Sequence, residues 1–181
     1  MTLPTRAESV HHAALETIVQ GRFPMKAIST TLLAATLGLA AAPALAADPA
    51  VEAPIQQFIT AFNKGDTAGA AATMAPRVSI IDEVAPFQWR GPDAFARWGA
   101  ALAADSKTKG YSNESVTLGT PSRELVSGAN AYVIVPATYS FTQKGVKMAE
   151  ASQITFTLMK VDTAWKITGW TWTGPEASVV K

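Results

Sequence analysis

From about residue 111 onward the apolar residues change from helical spacing to strict alternation, and this change limits the possible folds more than any other feature. Val133, Val135, Ala137, Tyr139 and Phe141 share one face of a strand, and Ile154, Phe156 and Leu158 share one face of the next. The alternation predicts strands near 112–123, 131–142, 147–161 and 164–173, with "SGAN" (127–130), "QKG" (143–145) and "DTA" (162–164) as turns. Upstream the period is helical. Asp48-Pro49 has the form of an N-cap followed by proline, and Val51, Ile55, Phe58, Ile59 and Phe62 then build one apolar helix face. "NKGD" (63–66) ends that helix, and Asp66 caps a second, alanine-rich one that runs to Met74 and stops at Pro76. A strand is expected at 77–84, and Gly91-Pro92-Asp93 opens a third helix with Phe95, Trp98 and Leu102 on one side. Helices first and an antiparallel meander afterwards define an α+β domain, with the helices packed on one side of a curved sheet.

The segment from Met25 to Ala46 reads as a secretory signal. Met25-Lys26 supplies a basic start, "LLAATLGLAAA" (32–42) an apolar stretch, and "ALA" (44–46) a small-x-small cleavage site. A membrane anchor fits less well, because the stretch is rich in alanine, contains Pro43 and lacks a basic stop beyond it. Residues 1–24 are then a mis-assigned start or a non-structural leader, 25–46 the signal, and 47–181 one domain. The expected location is periplasmic or secreted, with cleavage after Ala46 and no membrane attachment afterwards.

This division decides which chemistry is open to the domain. His11 and His12 lie upstream of the signal and the chain has no Cys, so zinc or copper coordination and His-dependent nucleophilic catalysis lose their usual groups. From Ala47 onward there are 12 Lys/Arg and 12 Asp/Glu, and a neutral domain without a basic cluster offers little to nucleic acid. No cofactor and no metal site are expected. Asp82 and Glu83 are adjacent, and on a strand they point to opposite faces.

Two segments carry a resemblance: "QQFITAFNKGD" (56–66), where a helix ends in a small-residue turn, and "VSIIDEVAPFQWRGPDAF" (78–95), a strand, loop, glycine and helix. In this order, and with four strands behind them, they resemble the nuclear transport factor 2-like superfamily over about residues 51–174. That superfamily includes the SnoaL-like polyketide cyclases and the ketosteroid isomerases. The resemblance implies a cone-shaped curved antiparallel sheet with three helices of the N-terminal half on its concave side. Its members include isomerases, cyclases, hydrolases and proteins that only bind, so the fold does not fix the function.

In the ketosteroid isomerases a carboxylate in the strand before the glycine moves a proton, and the resemblance places Asp82 there. Parity agrees, since Val78, Ile80, Asp82 and Val84 share one side. The same isomerases complete the site with a tyrosine and a protonated aspartate. Here the tyrosine position is Phe58, and the aspartate position falls at Ser152 or Ile154. Losing one such donor typically costs about 10²–10³ in rate, so the isomerase activity is not carried over. Tyr139 or Trp89 is the remaining candidate donor, Tyr139 being otherwise a core aromatic with a bonded hydroxyl. Phe58, Phe62, Trp89, Trp98, Glu150, Ser152 and Phe156 are candidate pocket residues, with Trp89 and Trp98 walling the entrance. Glu150 has inward parity near the open end, or else is solvent-facing or salt-bridged at a strand start. Arg90 or Arg97 is a candidate partner for Asp82. Trp170 and Trp172 share a face next to a bulge at Gly169, and exposed aromatics there suggest a homodimer through the sheet. The expected function is capture of a small, mostly apolar molecule in the cone. The alternatives are a weak isomerase, lyase or cyclase with Asp82 as base, and a structural or partner-binding dimer.

Overall fold

The computed structural model describes residues 48–181, so the expected leader and signal segments and both histidines lie outside the described residues. Helix α1 spans Pro49–Asn63, and the Asp48 carboxylate accepts from Ala50 N–H at 2.9 Å as the cap requires. Helix α2 spans Thr67–Ala72, and Asp66 accepts from Gly69 N–H at 2.8 Å. It ends earlier than expected. Pro76 disfavours helical geometry at the residue before it, and strand β1 already begins at Met74 and runs to Ile81.

A short strand, β2 (Gln88–Gly91), follows where the sequence indicated only a loop, and it pairs back on β1 with Trp89 opposite Ile80. Helix α3 spans Ala94–Lys109 and ends at Gly110, whose φ of 71° is the left-handed geometry of a helix C-cap. The strand expected at 112–123 is two strands, β3 (Tyr111–Leu118) and β4 (Arg123–Ser127), separated around Gly119 and Pro121. Strands β5 (Asn130–Gln143), β6 (Val146–Val161) and β7 (Ala164–Thr173) lie close to their expected limits. A two-residue strand β8 (Ser178–Val179) then pairs with Met148 and Ala149 of β6.

The sheet runs β2-β1-β7-β6-β5-β3, with β4 also on β5 and β8 also on β6. It is mixed rather than wholly antiparallel, because β1 lies parallel to β7. That pairing joins segments about ninety residues apart, which local periodicity cannot register. Pro76, without an N–H, sits in the irregular stretch between the Met74–Ile167 and Ser79–Gly169 pairs. The helices cover one face of this open sheet, and Phe156, Ile55, Ile80, Leu158, Ile167, Val133 and Val135 form the sealed core between them.

The bulge near Gly169 is present, with an effect opposite to the one expected. Gly169 pairs with Thr157 while Ile167 pairs with Leu158, so one extra residue shifts the alternation. Trp165 and Ile167 are buried before the bulge, and Trp170 is buried after it. Trp172 points the same way, toward the cavity described below. The two tryptophans are therefore internal, and the exposed aromatic face that suggested a dimer is absent from this strand. Among the described residues no helix is long and apolar enough to cross a membrane.

Candidate functional site

Between the helices and the sheet lies a cavity of about 440 Å³. Ile154, Phe58, Phe141 and Trp170 are its most buried lining residues, all under 6% exposed. Phe62 and Leu102 add the inner faces of α1 and α3, and Tyr139 and Phe141 add β5. Eight of the lining residues are aromatic. Phe58 touches Phe95, Trp98, Phe156 and Trp170 with ring centroids 5.1–6.4 Å apart, mostly in tilted or edge-on contacts.

Three polar constellations interrupt the apolar lining. Asp82 lies just past the end of β1 and is partly buried. Its Oδ1 accepts from Val84 N–H at 3.1 Å, and its Oδ2 accepts from the Trp98 indole N–H at 2.9 Å. Neither arginine reaches it: Arg97 pairs with Asp93 at 3.1 Å and donates to the Arg90 carbonyl at 2.8 Å. The second constellation is Glu150, only 6% exposed, whose Oε1 accepts from the Trp172 indole at 2.7 Å and from the Ser152 hydroxyl. It is neither solvent-facing nor salt-bridged. In the third, the Tyr139 hydroxyl donates to Glu114 Oε2, which also accepts from Ser106 Oγ at 2.9 Å.

Glu83 also lines the cavity, because the strand ends at Ile81 and the alternation that would separate it from Asp82 stops there. Its carboxyl is pushed above the ordinary range, first by partial burial and then by the Glu150 and Asp82 carboxylates. The chain after β7 closes the same end. Gly174 passes so close to Glu150 and Ser152 that a Cβ there would overlap both side chains. Glu176 and Ala177 line the cavity before β8 ties the segment to β6.

The candidate residues thus separate into two sets. Asp82, Tyr139, Phe58, Phe62, Trp98 and Glu150 meet at the cavity. Ser152 acts on it through Glu150. Trp89 and Phe156 do not line it: Trp89 is a core side chain 3% exposed, and Phe156 is sealed beneath Phe58. Sequence reasoning missed Glu114, Ser106 and Glu176. Glu114 had a signal, since it alternates with Val116 and Leu118 toward the core face, whereas Glu176 had none.

Burial, and then the bond to Glu114, push the Tyr139 phenol well above its ordinary pKa. The unfolded chain therefore releases this proton first. The associated stability is complete below about pH 10 and is lost as the pH rises beyond it. The phenolate absorbance gained between about pH 8 and about pH 11 will be equal in the native protein and in Tyr139→Phe, because Tyr139 contributes none of it. A smaller gain in the variant would show that the phenol ionises freely.

The family model described as a SnoaL-like domain matches residues 51–171. Among solved structures, the chain is similar to a type 2 hexachlorocyclohexane dehydrochlorinase (LinA) at 15% identity and a TM-score of 0.59, over 72% of this chain and 88% of that one. It is similar to a ketosteroid isomerase-like protein from Erwinia carotovora atroseptica at 21% identity and a TM-score of 0.55, over 70% and 95%. A nuclear transport factor 2-like superfamily protein from Salmonella enterica serovar Typhimurium shares 17% identity at a TM-score of 0.56, over 70% and 89%. Identities this low establish the shared fold and nothing of the chemistry. A search of curated proteins gave no match.

Proposed function

This chain belongs to the SnoaL-like domain family, and from that premise we propose that it holds a small, mostly apolar molecule in the cone cavity without transforming it. The observation that carries this reading is an open cavity of about 440 Å³ whose lining includes eight aromatic side chains, a size and character suited to a small organic ligand. The two groups nearest to a catalytic pair, Asp82 and Tyr139, are engaged by the protein itself. Both Asp82 oxygens hold protein donors, the Tyr139 proton is given to Glu114, and Phe58 has no hydroxyl to polarise a substrate. A general base needs an acceptor within reach of a substrate proton, beside a donor that stabilises the resulting charge. That pair is missing, so catalysis by Asp82 has weaker support than binding.

The test is a cavity filled from within. Leu102 is partly buried and lines the cavity from α3, so Leu102→Trp occupies the space a ligand would use. N-phenylnaphthylamine, a neutral dye that brightens in apolar surroundings, will bind the native domain saturably. In Leu102→Trp it will bind at least about tenfold more weakly, while the melting temperature stays near native. Absence of saturable binding to the native domain, or equal binding to a folded variant, rejects the reading.

A further inference from the structure

The cavity is unequal in charge. Its lining includes five carboxylates, Asp82, Glu83, Asp105, Glu150 and Glu176, and one cation, Lys109. Lys109 is taken by Asp105 at 2.7 Å on the same helix. The other four have no basic partner within salt-bridge distance among the described residues. Glu150 is the most telling of them. It is 6% exposed, and its Oε1 takes both available donors. Oε2 receives no hydrogen bond from any described residue, although Glu150 lines the cavity. That oxygen is open to the cavity rather than sealed among apolar side chains, so a ligand there is placed to supply its donor.

The surroundings specify what kind of cation fits. The Glu150 carboxylate is bonded to the Trp172 indole, whose ring meets the Tyr139 ring edge-on at 6.2 Å, and Tyr139 is the cross-strand partner of Glu150. Phe141 and Tyr111 continue this aromatic row at centroid distances of 5.0 and 4.1 Å. Aromatic faces beside carboxylates favour organic ammonium groups, through the ring quadrupole and through direct charge. A bare metal ion suits the site less well, since among the described residues no three acidic side chains converge closely enough to hold one. The charges are spread around a space rather than focused on a point.

We propose that the ligand of this cavity is an organic cation, with its ammonium group against Glu150 and within the field of Glu83 and Glu176, and its apolar body among Phe58, Trp98 and Trp170. This rests on the small-molecule reading above and adds the charge of the ligand. The raised carboxyl of Glu83 agrees with it, for partial burial comes first but Glu150, Asp82 and Glu176 add to it against the opposing charge of Lys109, as carboxylates around one space would. Bringing a positive charge among them relieves their mutual repulsion.

The experiment compares two probes of nearly the same shape, phenethylammonium and phenethyl alcohol, by calorimetric titration at neutral pH and low salt. The ammonium will bind at least about tenfold more tightly than the alcohol. Glu150→Gln keeps an acceptor for Trp172 and Ser152 and removes the charge, so it will bring the ratio down severalfold. Glu176→Gln, in an exposed segment, will lower it by a smaller factor, as will added salt. Equal binding of the two probes, or tighter binding of the alcohol, overturns the cation assignment and leaves the small-molecule reading in place. Binding of neither removes both. A ratio unchanged in both folded Gln variants overturns the placement of the ammonium at this end.

Discussion

Phe58→Ala will lower the stability of the domain by about 3–5 kcal/mol, the usual cost of truncating a buried phenylalanine to alanine. For a domain of this size that is a fall of about 10–20 °C in melting temperature. Phe58 is 3% exposed and stands where α1 meets α3 and the sheet. It contacts Trp170 at 5.1 Å, and Phe95, Phe156 and Trp98 at 6.2–6.4 Å, so one truncation removes four aromatic contacts. The void would adjoin the cavity, because Phe58 already lines it. Stability and ligand size should therefore change together: the variant melts earlier and accepts a bulkier apolar dye than the native domain does. Thermal and urea unfolding measure the first effect. A loss below about 1 kcal/mol would mean that the site collapses without cost and that Phe58 is not the hub of the packing.

Gly169→Ala is the second large effect, and its origin is backbone rather than side chain. A Cβ on Gly169 would lie 2.5 Å from the carbonyl oxygen of Ser79 on β1, too close for any real contact. A carbonyl in a strand cannot rotate away, so the two parallel strands must separate where Ser79, Ile80 and Ile81 pair with Gly169, Trp170 and Thr171. Overpacking and weakened pairing together should cost about 2–4 kcal/mol. The segment carrying Asp82 and Glu83 leaves the end of β1, so affinity for the cavity dye should also fall. Gly99→Ala is the comparison: it lies within α3, nothing is within 4 Å of its added Cβ, and it should gain about 0.5–1 kcal/mol. If both variants melt like the native protein, β1 is not held to β7 as described.

Much of this architecture can be read along the chain, and what cannot has a physical reason. The caps at Asp48 and Asp66, the apolar face of α1 and the alternation in β5 and β6 are local signals, and the elements follow them. Alternation is informative only while a strand lasts. It assigned Asp82 and Glu83 to opposite faces, but β1 ends at Ile81 and both line the cavity. It left Trp170 and Trp172 open to an outward reading, because a bulge reverses parity and Gly169 marks its place without its sense. The parallel β1–β7 pair and the meeting of Glu83, Glu150 and Glu176 join segments that are remote in sequence. No local pattern encodes such a meeting. Only the path of the folded chain creates it.

That path also sets an order of assembly. The core is built from α1 to β7, yet Glu176 and Ala177 reach the cavity only beyond β7, held by Gly174 against Glu150 and Ser152 and by the short β8 on β6. On the ribosome, every other wall of the cavity emerges before this one. A nascent chain halted after Thr173 already includes the sequences of the three helices, of strands β1 to β7 and of the tryptophans, while it still lacks Glu176 and β8. The carboxylate end of the cavity is therefore its last part to leave the ribosome.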